Sequence, residues 1–357
     1  MLFGVLLGSL AAYGASLNRG RPYWKPLPSA HLSAHQGCIG SSMRTLSVPI
    51  LGDKWFDGAM RILLAGASGT IGTALTRQLE KNHEVVRLVR RTPKGPSEIR
   101  WNPEAGELDV AAVDQTDAVI NLSGAGIAGG LWTRSYKETL YSSRLMPTRT
   151  LVQAMRKADN PPEVFISQSA SGYYGDRGDD VLTEASTSGD TLLADICRRW
   201  EAEALGAPAS VRVVLSRTGI VMAKEGGALP NLLIPIRLFA GTSLGSGRQW
   251  WPWISLNDEV RALEFLLTAP LSGPVNLSAP APATLDSLTL QLGRAFKRPV
   301  WFRVPGFILK AVIGQLGYEL LLVSTRMEPR ALSGAGFSFD ESSPESLAQW
   351  VHHTVSS

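Results

Sequence analysis

The strongest limit on how this chain can fold is a glycine turn, Gly66-Ala67-Ser68-Gly69-Thr70-Ile71-Gly72, set between an apolar run and a helical pattern. Residues 61–65 read Arg-Ile-Leu-Leu-Ala, which suits a short strand buried on both faces. After the turn, Ile71, Leu75 and Leu79 recur at helical spacing. Strand, glycine turn and helix in that order open a Rossmann-type, doubly wound α/β sheet. Gly66 lets the chain turn sharply, Gly69 lets backbone approach a pyrophosphate, and Gly72 lets helix and strand pack closely. Backbone N–H groups around Ser68, Thr70 and Ile71 then face the phosphates of a dinucleotide, aided by the helix dipole.

The second strand, residues 84–89, ends in Arg90-Arg91, where a site for NAD usually carries an acid for the ribose hydroxyls. Two guanidiniums at that point suit a 2′-phosphate, so NADP(H) is the expected cofactor; a solvated basic loop is the alternative. A third apolar run, residues 118–122, leads into Ser123-Gly124-Ala125-Gly126. Leu122, Ser123 and Gly124 are therefore expected beside the cofactor, outside the carboxyl ends of the strands. Residues 164–167 form a further strand and run into Gln168-Ser169-Ala170-Ser171-Gly172-Tyr173-Tyr174-Gly175. Ser169 and Tyr174 are candidate catalytic hydroxyls for a small-molecule substrate, the alternative being a serine-rich turn that caps its own backbone. Residues 211–215 read as another strand, followed by Arg217, which could orient a substrate anion or make a structural salt bridge.

Composition removes several function classes. The formal net charge is +4, but residues 1–60 hold Arg19, Arg21, Lys25, Arg44 and Lys54 against Asp53 and Asp57, leaving the rest nearly neutral. No basic strip marks a nucleic-acid surface. Two cysteines, Cys38 and Cys197, cannot build a disulfide framework, and five scattered histidines offer no metal site. Trp250, Trp251 and Trp253 are read as core and lobe contacts, not a stacking platform, because no basic groove surrounds them. Residues 301–323 are strongly apolar but interrupted by Lys310, Glu319 and glycines, which fits a packed helical cap or a homodimer face better than a membrane span.

The first 59 residues are read as a leader. Met1 to Ala15 is apolar yet too short to cross a bilayer, and Ala12-Tyr13-Gly14 is a small-x-small cleavage site. Residues 16–52 contain no acid and are rich in Ser, Arg, His and Pro, the composition of a transit peptide. Import into an organelle is expected, a plastid in preference to a mitochondrion, with an extension lacking any address as the alternative.

Taken together, GASGTIG (66–72), VINLSG (119–124), Trp132 with Ser143-Arg144, SGYYG (171–175), Trp200-Glu201, SRTGIVMAKEGGAL (216–229) and GSGRQWWPWI (245–254) resemble one group. So do Asp258, VPGFILKAVIG (304–314), Glu328-Pro329-Arg330 and GAGFSFD (334–340). They resemble the epimerase-like atypical short-chain dehydrogenase/reductases with a C-terminal domain of unknown function. The resemblance implies an NAD(P)-binding domain over residues 60–300 and an epimerase-associated domain over 301–357. It also implies cofactor contacts from Gly66, Gly69, Gly72 and Arg91, and a catalytic position at Ser169. Gly245-Ser246-Gly247-Arg248 falls on the substrate-lobe loop, and Asp258 on a helix start where capping competes with chemistry.

The chain departs from the wider pattern in two places. The Tyr-x-x-x-Lys pair of ordinary short-chain dehydrogenases falls near Thr191 and Asp195, neither of which can exchange a proton in that way. The group's Gly-Glu after the VINLSG strand is Gly124-Ala125 here, and its arginine before the tryptophan is replaced by Gly130-Leu131. The sequence therefore supports an NADP(H)-binding oxidoreductase or epimerase, with a catalytically reduced structural or regulatory protein as the alternative.

Overall fold

Burial of both faces of the first strand sets the layers of the domain. The computed structural model describes residues 58–356, so all but the last two residues of the leader, Cys38 included, lie outside the described residues. Strand β1 (Arg61–Ala65) points Ile62 and Leu64 to one face and Leu63 and Ala65 to the other, all four fully buried. It belongs to a wholly parallel sheet with β2 (Glu84–Val89), β3 (Glu98–Arg100), β4 (Ala118–Asn121), β5 (Val164–Ala170), β6 (Arg212–Thr218) and β7 (Gly273–Leu277). The spatial order is β7-β6-β5-β4-β1-β2-β3. The chain moves outward from β1 to β3 and then returns to place β4 on the other side of β1. The switch point thus lies between β1 and β4, where open α/β sheets bind ligands.

Helices α1 (Thr70–Leu79), α2 (Arg134–Lys157), α3 (Leu192–Ala204), α4 (Leu229–Arg237) and α5 (Leu256–Thr268) interleave with the strands. Leu75 and Leu79 of α1 and Val260, Leu263 and Leu266 of α5 cover the Ile62 face. Leu151 and Met155 of α2 and Ala204 of α3 cover the Leu63 face. Burial on both sides explains why the strands read as continuous apolar runs. Threonine or serine hydroxyls cap α2, α3 and α5 through Thr133, Thr191 and Ser255. At α1 the capping residue is Gly69, which offers no side chain.

β5 and β6 extend beyond their apolar runs to Ala170 and Thr218, pairing Gln168 with Ser216 and Ser169 with Arg217. These polar positions read as loop in the sequence. Ser169 and Arg217 are buried there because both bond the Glu201 carboxylate on α3, as described below.

The second lobe gathers α4, α6 (Leu285–Ala295) and α8 (Pro344–Ser356) around Trp251 and Trp253, with Leu232, Leu288, Leu347 and Val351 in one core. Residues from both sides of position 300 meet in that core. Between them, the strand Val300–Val304 pairs with Gly241–Leu244, and α7 (Gly306–Gly317) follows. The packed cap expected over 301–323 is only partly formed: Leu309 is buried, whereas Trp301 and Phe307 are 71% and 72% exposed. Among the described residues, no helix is long and apolar enough to cross a membrane.

Glu259 on α5 is fully buried. Thr218 Oγ1 donates to its Oε1 at 2.8 Å, and its Oε2 has no partner in the protein. Burial pushes its pKa up to about 8, against which the Thr218 hydrogen bond acts only weakly. The folded chain then keeps a proton that the unfolded chain releases above its ordinary value of 4.5. Native stability should therefore fall as pH rises from the ordinary value toward the raised one, by at most about 1.4 kcal/mol per pH unit. Glu259→Gln is expected to flatten that slope in urea unfolding followed across the window. An unchanged slope would place the proton on another group.

Candidate functional site

The glycine turn is shaped by two close approaches. A Cβ on Gly66, whose φ is +83°, would lie 2.6 Å from the backbone of Leu122, and one on Gly72 would lie 2.2 Å from the carbonyl oxygen of Gly66. The first contact brings β1 and β4 together at the switch point, and the second lets α1 start directly behind the turn. Gly69 is different, since a Cβ there would meet nothing nearer than 3.5 Å. Ser68, Gly69 and Thr70 are all exposed, so the outer side of the turn is open. The helix dipole and the uncapped N–H groups of α1 point into that open side. The structure thus packs Gly66 directly on Leu122 and Ser123, with Ser68, Gly69 and Thr70 on the open side of the same turn. This cradle suits a pyrophosphate.

The loop after the short strand Ile220–Met222 adds a wall that sequence reasoning does not place here. A Cβ on Gly226 would come within 2.6 Å of Thr70 Oγ1. The Lys224-Glu225-Gly226-Gly227 segment thus closes on the start of α1. Its paired glycines were a visible signal, but nothing in the sequence says which turn they approach.

Arg90 and Arg91 differ sharply. Arg91 makes a two-pronged ion pair with Glu98, with Nη1 and Nη2 each 2.7 Å from a carboxylate oxygen. That pairing, helped by the Lys94 N–H, holds the Glu98 pKa down at about 2. Arg90 is the freer cation, its guanidinium 4.0 Å from Glu104 and its side chain 75% exposed.

Ser169 and Tyr174 lie in a sealed network at the carboxyl edge of the sheet. Ser169 Oγ donates to Glu201 Oε1 at 2.7 Å. Arg217 Nε and Nη2 reach the two oxygens of the same carboxylate at 2.8 and 2.9 Å. Arg217 Nη1 donates to the Tyr174 hydroxyl at 3.1 Å, and that hydroxyl donates to Asn276 Oδ1 at 2.6 Å. The Tyr173 ring lies 3.5 Å from the Arg217 guanidinium carbon. Ser169 is 1% exposed and Tyr174 not at all, so neither presents a hydroxyl to a substrate in this structure. Burial pushes the Tyr174 pKa up to about 12 despite Arg217 beside it. Burial works against the charge of Arg217, but the Glu201 carboxylate outweighs it and holds the guanidinium above the ordinary arginine range. Of the two roles open to Arg217, the salt bridge is the one formed.

Two other sequence positions take structural parts. Thr191 caps α3, and Asp195 binds Arg198, Arg199 and the Tyr141 hydroxyl, which leaves no Tyr–Lys pair on that helix. Asp258 does not cap α5, because Ser255 does; it accepts the N–H groups of Asp340 and Glu341 and pairs with Arg261. The loop Gly245–Arg248 borders a recess of about 340 Å³ lined by Ser246, Gln249, Phe307, Lys310 and Tyr318. Among the described residues no cluster of His, Cys, Asp or Glu could hold a metal ion.

A glycine cradle at the switch point of a parallel seven-stranded sheet, with a second lobe against its carboxyl edge, defines a dinucleotide-fold protein of the short-chain dehydrogenase type. The sequence profile of the NAD dependent epimerase/dehydratase family matches residues 62–278, and that of the domain of unknown function DUF1731 matches 304–350. The chain belongs to this family, within its epimerase-like atypical branch. It is 44% identical over 282 residues to an epimerase family protein of Mycobacterium leprae, covering 78% of this chain and 91% of that one. A chloroplastic homologue from Arabidopsis thaliana is 34% identical over 293 residues, covering 79% and 84%. The crystal structure of a human epimerase family protein with NADPH superposes with a TM-score of 0.76 at 31% identity, covering 82% of this chain and 99% of that one. A nucleoside-diphosphate sugar epimerase from Corynebacterium glutamicum gives a TM-score of 0.68 at 31% identity, covering 83% and 59%.

Glu201→Gln would leave Arg217 buried without its counter-charge. A loss of about 3–5 kcal/mol is expected from urea unfolding. A loss under about 1 kcal/mol, the range of a surface pair, would show that the network does not hold the edge of the sheet.

Proposed function

We propose that this protein binds NADP(H) and acts as an oxidoreductase or epimerase on a small molecule. The observation that carries the reading is the open glycine turn Gly66–Gly72, packed through Gly66 on Leu122 and Ser123. The NADPH held by the human relative and the identity shared with it support the choice of cofactor. The corynebacterial relative makes a nucleotide-sugar-like substrate a reasonable class to screen first. When bound, the cofactor supplies a hydride acceptor or donor. The chain would hold its pyrophosphate on the α1 N–H groups and meet the 2′-phosphate with Arg90, while Arg91 stays committed to Glu98.

Ser169 and Tyr174 support the site as positioning residues: Ser169 ties β5 to Glu201, and Tyr174 ties the turn after it to Arg217 and Asn276. The alternative of a catalytically reduced, regulatory NADP-binding protein is favoured by the same burial and by Thr191 and Asp195. The first 59 residues are read as an organelle address, a view the chloroplastic relative supports and the bacterial relatives argue against. The exposed Trp301 and Phe307 are where a homodimer would form.

Calorimetric titration with NADPH, NADP+, NADH and NAD+ tests the reading. NADPH should bind at least about tenfold more tightly than NADH, and Arg90→Ala should remove most of that preference. Gly69→Asp has room to fold, but it places a carboxylate on the open side of the turn and should abolish binding. Failure to bind any of the four would end the nucleotide assignment. Equal affinity for NADPH and NADH in the unaltered protein would end only the role given to Arg90.

A further inference from the structure

Two arginines are buried among the described residues, Arg217 and Arg144, and only the first has a carboxylate partner. Arg144 is 8% exposed on α2. Its Nη1 donates to the Leu140 carbonyl and its Nη2 to the Ala125 carbonyl, both at 3.0 Å, with Ser143 Oγ at a long 3.5 Å. The Trp200 ring lies 5.3 Å away on another side. The titratable groups that act on it are Cys197 and Tyr136, neither an anion at neutral pH, and burial draws its pKa below the ordinary value. Carbonyl oxygens satisfy donors but do not neutralise the charge. An arginine buried without a counter-ion costs several kcal/mol, so its retention calls for a compensating group.

The direction from which such a group can come is set by Gly124. That residue is exposed, and a Cβ on it would lie 3.2 Å from Arg144 Cζ and 3.4 Å from Nη2. A side chain at this exposed position would therefore press directly against the guanidinium. Gly124 follows Leu122 and Ser123, which touch Gly66 of the cradle. The uncompensated charge sits under the floor of the nucleotide cleft.

We propose that Arg144 is an oxyanion receptor of this cleft, and that a phosphate or carboxylate group lying over Gly124 supplies the counter-charge the fold omits. The location of the cleft rests on the cofactor reading above. The anion belongs either to the cofactor or to a second ligand, and that ligand would then be an anionic substrate. Ser143, whose Oγ accepts the Ala125 N–H, holds the loop over the guanidinium.

The test compares the full chain with Arg144→Gln by NADPH titration. It also follows the melting midpoint of the NADPH-saturated protein in inorganic phosphate against chloride at matched ionic strength. If the anion is the cofactor's, Arg144→Gln should weaken NADPH binding by about tenfold or more, with Arg144→Lys restoring part of the loss. If the anion is separate, NADPH affinity should hold within about twofold. Phosphate should then raise the midpoint of the unaltered protein and not that of Arg144→Gln. Unchanged NADPH affinity together with no phosphate effect that depends on Arg144 overturns the proposal. Should Arg144→Gln not fold, Gly124→Ala decides in its place, since it keeps the guanidinium but covers it. A phosphate effect undiminished in that variant overturns the proposal equally. If the unaltered chain binds no NADPH, the nucleotide assignment fails, and the phosphate comparison on the free chain still decides for or against Arg144.

Discussion

The carboxyl edge of the sheet depends on one ion pair taken out of water. Arg217 on β6 grips Glu201 on α3 with two hydrogen bonds, and the same carboxylate receives Ser169 from β5. Through Tyr174 and Asn276 the pair reaches β7, and the Asn276 amide then donates to the Glu328 carbonyl in the C-terminal segment. A pair buried this deeply gives little net stability relative to an apolar replacement, but losing either half is costly. Its value here is geometric. Three strands, a helix and the returning tail are linked through the hydrogen bonds that surround the pair.

That arrangement divides the charges of the site into spent and unspent. Arg217 and Arg91 are committed to Glu201 and Glu98. Arg90 stands in solvent at the end of β2, and Arg144 lies beneath Gly124 with carbonyl partners alone. The two unspent guanidiniums and the uncapped start of α1 all bias the cleft toward anions. No tyrosine–lysine pair accompanies them on α3. On the proposed reading, this arrangement favours binding and orienting a charged ligand.

The second lobe is held to the first by polar latches over an apolar core. Asp258 receives two N–H groups from residues 340 and 341, and Glu184 accepts the N–H groups of Asn276 and Ala331. Glu319 accepts the N–H groups of Leu192 and Leu193 at the start of α3, which ties the segment after α7 to the nucleotide-binding half. Such contacts fasten the tail, where the DUF1731 profile matches, to the nucleotide-binding half. The tail completes the edge of the sheet.

How much of this was legible follows from how each signal is encoded. The apolar runs of β1, β2 and β4, the glycine turn and the start of α1 are local patterns, and the sequence by itself determined them, together with the doubly wound class and the place of the cradle. Strand ends at Ala170 and Thr218 were not legible, because a polar residue in a strand looks like loop until its partner across the sheet is known. The same limit applies to Ser169 and Tyr174, whose hydroxyls could serve a substrate or a buried network. It applies to Arg91 as well, whose partner Glu98 lies on the neighbouring strand. Only the tertiary structure decided which cations are neutralised, which hydroxyls are sealed, and that Arg144 is left without a counter-charge. The physical reason is that a charge or hydroxyl takes its role from the groups that surround it in space, and residues such as Arg217 and Asn276, far apart in the chain, meet only once the sheet has assembled.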